Sequence, residues 1–313
     1  LVKDTSGKII RDNIWGDLEQ DTYRRDFTIN ALYYCPVSQK IVGHKDGMKH
    51  IHEKSIVSIG DPVKRFSEDP VRSLRAIRFS NKLNFKVDKD IKEAIYEKGH
   101  LLSDISNARL FDEFCKIFLN GMAEKNFNKL SSFGLSKYLI STDSERSVFT
   151  RNLIVESLRN TDKRLMNSQS ITPGFLIAAL LWPELIGKSL SKGEINLRKF
   201  FRSMDYVLRN QQKITAVPRK FQSYIKDIWV LQLKLHSRIG KQPYKTLKHP
   251  RFRAAYDLLL IREKAANEKH SLGKWWTEFQ KNDENLRKAL IDDLKEKNMQ
   301  ESPKIFGFSE ELR

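Results

Sequence analysis

Residues 60–79 read GDPVKRFSEDPVRSLRAIRF, and they combine acidic side chains with four arginines at the start of a helical pattern. Pro70 suits the first turn of a helix, because the N–H that proline lacks would have no partner there. Glu68 and Asp69 precede it, so two carboxylates lie at the positive end of the helix dipole. The stretch therefore predicts one helix that begins near Pro70.

The two faces of this helix differ in chemistry. Val71, Leu74 and Ile77 recur every third residue and form an apolar stripe. Arg72 and Arg75 lie along a different face, one turn apart. The pattern predicts a helix that packs on one side and presents guanidinium groups on the other.

The pair Asp69 and Arg72 has two interpretations. At a helix start, one turn apart, they can present an acceptor and a fork of donors to a planar ligand such as a nucleobase. The alternative is a salt bridge within the helix on a solvated face. Taken by itself, the stretch favours the salt bridge.

A second informative stretch is RRDFTIN at residues 24–30. Adjacent arginines beside an aspartate suit a protein core poorly, because an unpaired buried charge costs several kcal/mol. Arg24 and Arg25 are better used on phosphates, with Asp26 free to hold a ribose hydroxyl or a metal. A surface charge cluster is the alternative. The EDPVR sequence about forty residues later shifts the balance towards a ligand site.

Composition limits the class of protein. The 313 residues carry 57 Lys and Arg against 39 Asp and Glu, spread along the chain, for a net charge of +18. Such an excess predicts a polyanionic partner, and nucleic acid is the natural one.

Two distant cysteines, Cys35 and Cys115, indicate no disulfide framework. The longest apolar run, Ile171–Pro183, is too short to cross a bilayer, and no signal pattern opens the chain. We expect a cytoplasmic protein.

The pattern of elements is mainly helical. Residues 17–30 predict a helix with Asp17 as its N-cap, and residues 31–35 and 40–42 predict the single convincing hairpin. After Gly60, apolar residues at helical spacing alternate with Lys and Arg, so strands are expected only in the first sixty residues. Trp275 and Trp276 either stack on RNA bases or pack in a core.

These blocks resemble a known family. RRDFTIN, GDPVKRFSEDPVRSLRAIRF and ARLFDE at residues 108–113 are similar to class II nucleotidyltransferases that extend RNA 3′ ends, a family with poly(A) polymerase and CCA-adding branches. Further blocks resemble the poly(A) polymerase branch, and the resemblance covers nearly the whole chain. Those blocks are RDNIWG at residues 11–16, DIWVLQLKL at 227–235, HPRFRAAYDLL at 249–259 and KWWTEFQ at 274–280.

The resemblance implies a fold and its domains. It implies a mainly α protein, with the remnant of an α+β nucleotidyltransferase palm followed by helical neck and body domains. The expected boundaries are residues 1–59 for the end of the palm, 60–135 for the neck, 136–270 for the RNA-binding body and 271–313 for a helical or flexible tail.

The resemblance also implies a site and its ligands. Asp26 would be catalytic and would hold Mg²⁺ (or Mn²⁺), and ATP would be the substrate. Asp69 and Arg72 would read the base edge, a pattern that adenine and cytosine both satisfy. The other nucleotide-binding residues would be Arg24, Arg25, Asn30, Arg75 and Arg78. The RNA would contact Arg109, Arg251, Arg253 and Lys274.

Two departures qualify this reading. The family's glycine-rich segment and the metal-binding DxD that follows it are absent before Asp12, so we expect this chain to be partial and inactive by itself. The segment between the two blocks has Gly43 and His50 where the family often has acidic residues.

The intact protein is expected to add AMP to RNA 3′ ends. The alternatives are CCA addition to tRNA and a non-catalytic RNA-binding module.

Overall fold

The computed structural model describes residues 2–3, 9–11, 17–142, 147–191, 194–267 and 272–296. Its contacts divide the chain into two compact units, Leu1–Asp104 and Ile105–Arg313. Most of the RDNIWG block, residues 12–16, lies outside the described residues. The four-part domain division expected from the sequence stays a prediction.

The first unit combines five helices with three two-stranded sheets among its described residues. The helices are α1 (Leu18–Arg24), α2 (Gly47–His52), α3 (Pro62–Glu68), α4 (Val71–Leu83) and α5 (Lys89–Lys98), with 3₁₀ turns at Thr28–Asn30 and Gly99–Asp104. The strands are β1 (Val2–Lys3), β2 (Ile9–Arg11), β3 (Leu32–Cys35), β4 (Lys40–Gly43), β5 (Ser55–Ile56) and β6 (Lys86–Val87). The pairs β1–β2 and β3–β4 are antiparallel, and β5–β6 is parallel.

Helix α1 is shorter than the sequence predicts. Asp17 is the N-cap, as expected, and its carboxylate accepts from the N–H of Gln20 at 2.8 Å. The helix ends at Arg24 because Arg25 is extended, and a 3₁₀ turn replaces the rest of the predicted helix. The expectation of one helix over residues 17–30 is therefore wrong, and Asp26 lies in a turn.

The GDPVKRF segment forms a helix of its own, which the sequence interpretation missed. Asp61 caps α3 by accepting from the N–H of Val63, and Asp69 ends it in an extended conformation. Pro70 then begins α4, as predicted. Val71, Leu74 and Ile77 are fully buried, so the apolar stripe predicted for α4 is confirmed. Together α3, α4 and α5 form the helical layer of the first unit.

The second unit is almost wholly helical. Its helices are α6 (Asn107–Phe118), α7 (Ala123–Ser132), α8 (Val148–Met166), α9 (Pro173–Ser189), α10 (Leu197–Gln212), α11 (Arg219–Lys234), α12 (Gln242–Leu247), α13 (Phe252–Ala265), α14 (Leu272–Lys281) and α15 (Glu284–Glu296). A 3₁₀ turn spans Ser136–Tyr138, and β7 (Leu190–Ser191) pairs with β8 (Glu194–Ile195). Strands β6, β7 and β8 lie beyond residue 60, so the expectation that strands occur only in the first sixty residues is wrong. The sequence did not indicate them because a strand of two residues is too short to show an alternation of apolar and polar side chains.

Helix α9 is the centre of the second unit. It contains the apolar run noted in the sequence, and helices α8, α10 and α11 pack around it. Trp182 of α9 and Trp229 of α11 are fully buried, and the Trp229 indole N–H donates to the carbonyl of Ala178 in α9 at 2.9 Å. An all-round apolar helix is a core helix unless it crosses a membrane. In the described part of the chain, no helix is both long and apolar enough for such a span.

The tryptophan pair of α14 packs in a core. Trp276 is fully buried and donates its indole N–H to the carbonyl of Leu235 at 2.9 Å, and Trp275 is 7% exposed and stacks on Phe279. These rings belong to a cluster that also contains residues of α11, α13 and α15. Of the two interpretations of the pair, packing is the one that the structure supports.

Candidate nucleotide-binding site

Backbone hydrogen bonds hold the turn that contains Asp26. The N–H of Ile59 donates to the carbonyl of Asp26 at 3.3 Å, and the N–H of Thr28 donates to the carbonyl of Val57 at 3.0 Å. Between these two bonds, Phe27 is fully buried and meets the ring of Phe79 from α4 edge-on at 6.1 Å. A large apolar side chain and two backbone bonds therefore fix the position of the Asp26 carboxylate.

Two arginines of α4 converge on Asp26. Arg72 donates its Nε to Asp26 Oδ1 at 2.9 Å, and Arg75 donates its Nη1 to Asp26 Oδ2 at 2.9 Å. Asp26 is 14% exposed and Arg72 11%, so water screens this contact weakly. The two arginines are one helical turn apart, which places both guanidinium groups on the same side of α4. Arg72 forms salt bridges with Asp26, which is 46 residues away, and with Glu68 at 3.6 Å, whereas the sequence interpretation had considered Asp69 as its partner.

Arg65 of α3 adds a second connection to the same turn. Its Nη2 donates to the carbonyl of Arg25 at 2.7 Å and to that of Arg24 at 3.3 Å, while its own carbonyl accepts from Arg72 Nη1 at 3.0 Å. Burial, and then the neighbouring Arg72 charge, lowers the pKa of the Arg65 guanidinium from its ordinary value. We call Asp26, Arg65, Arg72 and Arg75 the Asp26 cluster. The sequence interpretation counted Arg65 among four arginines but assigned it no role.

Arg25 has a separate partner. It donates its Nη2 to Asp21 Oδ2 at 2.8 Å, and Tyr33 donates its hydroxyl to the same oxygen at 2.5 Å. These two hydrogen bonds lower the pKa of the Asp21 carboxyl. Arg24 is exposed in the last turn of α1. Arg25 is therefore held by side chains of α1 and of strand β3.

The remaining predicted residues surround the start of α4. Asp69 is half-buried at the junction between α3 and α4, and its Oδ1 accepts from the N–H of Val71 at 3.3 Å. Arg78, one turn after Arg75, lies over the ring of Phe79 at 4.4 Å. Asn30 is half-buried at the end of the 3₁₀ turn.

The described residues do not fit a two-metal centre. Both oxygens of Asp26 already accept from arginines. Across the part of the chain that the structure describes, no group of three or more His, Cys, Asp or Glu side chains is placed to hold a metal ion. Magnesium or manganese bound by Asp26 stays a prediction, and the geometry gives Asp26 another task, which is to orient Arg72 and Arg75.

Three of the four predicted RNA contacts are arginines of the second unit. Arg251 and Arg253 line one cavity at the start of α13, and Arg109 is exposed on α6. Lys274 is exposed on α14, although the two tryptophans that follow it are buried. The structure thus brings Arg251 and Arg253 together and places the other two on separate helices.

Similar folds occur among solved structures. A tRNA-processing enzyme with CTP has a TM-score of 0.58 at 22% identity, covering 91% of this chain and 78% of that one. A tRNA nucleotidyltransferase complexed with a primer tRNA and an incoming ATP analog has a TM-score of 0.56 at 17% identity, covering 94% and 78%. The fold is that of the nucleotidyltransferases.

Sequence comparisons identify the family within the nucleotidyltransferase fold. The profile described as "Poly A polymerase head domain" matches residues 3–57, "Probable RNA and SrmB-binding site of polymerase A" matches residues 84–142, and "Polymerase A arginine-rich C-terminus" matches residues 192–305. Poly(A) polymerase I of Haemophilus influenzae is 39% identical over 298 residues, which are 92% of this chain and 66% of that protein. The chain belongs to the poly(A) polymerase family.

Other relatives are consistent with this assignment. Poly(A) polymerase I of Escherichia coli O157:H7 is 37% identical over 304 residues, which are 93% of this chain and 65% of that protein. A CCA-adding enzyme of Lactococcus lactis is 28% identical over 249 residues, which are 80% of this chain and 56% of that protein. The chain spans slightly less than two thirds of the length of the poly(A) polymerases it matches.

Proposed function

We propose that this protein transfers AMP from ATP to the 3′ ends of RNA without a nucleic-acid template, and so marks RNA for processing or decay. The observation that supports this best is the Asp26 cluster, in which a turn from RRDFTIN and a helix from EDPVRSLRAIRF join in one compact site. The higher identity to poly(A) polymerases than to the CCA-adding enzyme matched over 249 residues supports AMP as the group transferred. ATP and RNA are both available in the cytoplasm, where we place the reaction.

Within this proposal, the first unit binds the nucleotide. Asp69 accepts from the exocyclic amine of adenine, and Arg72 donates to the ring nitrogen beside it. Arg75, Arg78, Arg24 and Arg25 contact phosphate or ribose, and Asn30 positions the sugar. The high local density of guanidinium groups suits a triphosphate, because planar forks match phosphate oxygens in pairs. Asp26 holds Arg72 and Arg75 in place before the nucleotide arrives.

Replacing Asp69 with alanine is expected to weaken ATP binding about tenfold or more, because the adenine amine loses its acceptor. Purine riboside triphosphate, which lacks that amine, should bind wild-type protein weakly and should bind the Asp69→Ala variant as well as ATP does. Isothermal titration with both nucleotides measures this ratio. The variant also loses the hydrogen bond to Val71, which costs about 1 kcal/mol of stability.

The control is Glu68→Ala at the neighbouring position. Glu68 is 49% exposed and its ion pairs with Arg65 and Arg72 are 3.4 and 3.6 Å long, so the loss of this carboxylate should change nucleotide preference little. If Asp69→Ala still prefers ATP over purine riboside triphosphate by the wild-type factor, Asp69 does not read the base.

The activity itself is tested with the complete gene product and a short RNA. Labelled ATP and labelled CTP are offered in parallel tubes with Mg²⁺, and the products are separated by length. Long adenylate tails from ATP alone are expected. Arrest after three added nucleotides, with CTP required, would assign CCA addition instead. RNA binding without incorporation from either nucleotide would contradict the proposal and leave an RNA-binding module.

A further inference from the structure

A cavity of about 180 Å³ lies in the second unit, where the end of α8, the start of α9, the middle of α11 and the start of α13 meet. Its charged lining residues are Arg164, Arg251, Arg253 and Asp257, so three cations face one anion. Tyr224 supplies an aromatic wall. The segments that contribute these side chains are up to 93 residues apart in sequence, and we call the space the α9 cavity.

Asp257 holds two of the three arginines in fixed positions. Its Oδ2 accepts from Arg164 Nη1 at 3.1 Å, and its Oδ1 pairs with Arg253 Nε at 3.0 Å. Asp257 is 11% exposed, and Arg164 also donates its Nη2 to the carbonyl of Ser170 at 3.2 Å. A buried carboxylate whose two oxygens both accept from arginines restricts the motion of those guanidinium groups. Because they are already ordered, they lose less entropy when they bind a ligand.

Arg251 is placed differently. Its guanidinium lies 4.8 Å from the centre of the Tyr224 ring, a position that favours a cation on an aromatic face. Among the described residues it has no hydrogen-bond acceptor, although the group carries five donors. Gly174 lets α9 approach Tyr224, since a Cβ there would lie 3.0 Å from the Tyr224 Cδ1. The cavity therefore contains an oriented fork of donors without an acceptor.

We propose that the α9 cavity binds a phosphate group, and that in the working protein this is a backbone phosphate of single-stranded RNA. An oxyanion fits because the site has a surplus of positive charge and a donor fork aimed by stacking and bracing. The volume suits a phosphate and part of its sugar, and it is below the usual size of a site for a whole drug-sized ligand. The inference rests on the proposed function, because that function supplies RNA as the partner.

The inference joins residues that the sequence considered separately or not at all. Arg251 and Arg253 were expected to contact RNA as individual surface charges. In the cavity they act with Arg164, whose place in the site depends on Asp257, and with Tyr224, which orients Arg251. Arg251 is thus the residue whose loss affects the ligand most and the fold least, because its side chain is exposed and makes no ion pair among the described residues.

The test compares Arg251→Ala with Arg151→Ala in the complete chain. Arg151 is an exposed arginine of α8 that lines no described cavity, so its removal changes the net charge equally. Binding of a labelled short oligoadenylate is measured by fluorescence anisotropy over a series of potassium chloride concentrations. For Arg251→Ala we expect affinity to fall about tenfold and the slope of log K against log salt to decrease by about 0.7, the value for one phosphate contact to a single strand. Arg151→Ala should stay within about twofold of wild type.

A charge-preserving variant and a labelling experiment identify the ligand chemistry. Arg251→Lys keeps the charge and loses the fork, so it should restore the salt slope but only part of the affinity. Phenylglyoxal modification of Arg251, followed by mass spectrometry, is expected to be slowed by the oligoadenylate. Protection by inorganic phosphate or AMP, with no protection by RNA, would overturn the assignment to RNA and leave a site for a free phosphate compound.

The outcomes separate this inference from the function on which it rests. Equal RNA affinities and salt slopes for Arg251→Ala and Arg151→Ala, with no protection by any phosphate compound, would overturn the site while leaving the proposed function intact. Failure of the wild-type protein to bind the oligoadenylate even at low salt would contradict the proposed function instead. Circular dichroism of each variant checks that the helical fold is retained, and Arg253→Ala provides a second variant in the same cavity.

Discussion

Replacing Asp26 with alanine is expected to lower the free energy of unfolding of the first unit by about 3 kcal/mol, because removal of one partner leaves weakly solvated charges without compensation. Arg72 and Arg75 would then repel each other one helical turn apart, without the carboxylate that both now contact at 2.9 Å. Hydrogen exchange of peptides from α4, read by mass spectrometry, measures the loss as earlier opening of that helix. Nucleotide affinity should fall with it, since both arginines lose their orientation.

The same experiment separates the two roles considered for Asp26. If the carboxylate orients arginines, Asp26→Ala weakens protection of α4 in buffer that contains a chelator, and added Mg²⁺ changes little. If its main task is to hold a metal, the difference between wild type and variant should appear only when Mg²⁺ is present. Glu53→Ala is the control, because Glu53 is 52% exposed and its ion pair with Lys49 is 4.0 Å long. A loss for Asp26→Ala no larger than that for Glu53→Ala would contradict the cluster.

Acidification should destabilise the second unit through His236. Burial, and then the charges of Arg262 and Arg238, lowers the pKa of this imidazole to about 3. Below about pH 6.5 the unfolded chain takes up a proton that the folded chain does not accept, so stability falls as the pH falls towards 3. The slope is at most about 1.4 kcal/mol per pH unit, and less because the side chain is partly accessible to solvent. Above this range, both states hold a neutral imidazole and the effect disappears.

Urea unfolding at several pH values, followed by tryptophan fluorescence, measures this dependence. The second unit contains Trp182, Trp229, Trp275 and Trp276, all buried, so the signal reports on it. His236→Gln cannot take up the proton and should flatten the acid side of the profile. Identical slopes for wild type and His236→Gln would show that other groups carry the acid sensitivity.

Much of the fold follows from local patterns in the sequence. The helical start at Pro70, the apolar stripe of α4 and the hairpin of β3 and β4 depend on residues close together in the chain, and each is confirmed. The wrong predictions concern elements whose ends are determined by tertiary contacts. Helix α1 ends at Arg24 because the next residues take extended conformations that pair with the segment around Ser58, and no local signal announces that partner.

The candidate site shows the same limit more sharply. The sequence indicates that RRDFTIN and EDPVR act together. Spacing along the chain does not indicate which of their side chains are in contact. Which oxygen accepts from which guanidinium depends on a contact across 46 residues, so spacing in the sequence did not indicate that Asp26 pairs with Arg72. Arg164 and Tyr224 were missed for a related reason, because their neighbours in the chain give no sign that they share a cavity with Arg251.

Helix α9 imposes an order on biosynthesis. The carbonyl of Ala178 receives its side-chain donor from Trp229, which is 51 residues later in the chain, and α10 and α11, which cover α9, also follow it. At translation rates of about 5–20 residues per second, roughly 3 to 10 s pass between the synthesis of α9, the most apolar of the described helices, and the synthesis of the residues that bury it. During that interval α9 exposes apolar surface that is prone to aggregate. We therefore expect the nascent chain to need chaperones even if the folded protein is stable.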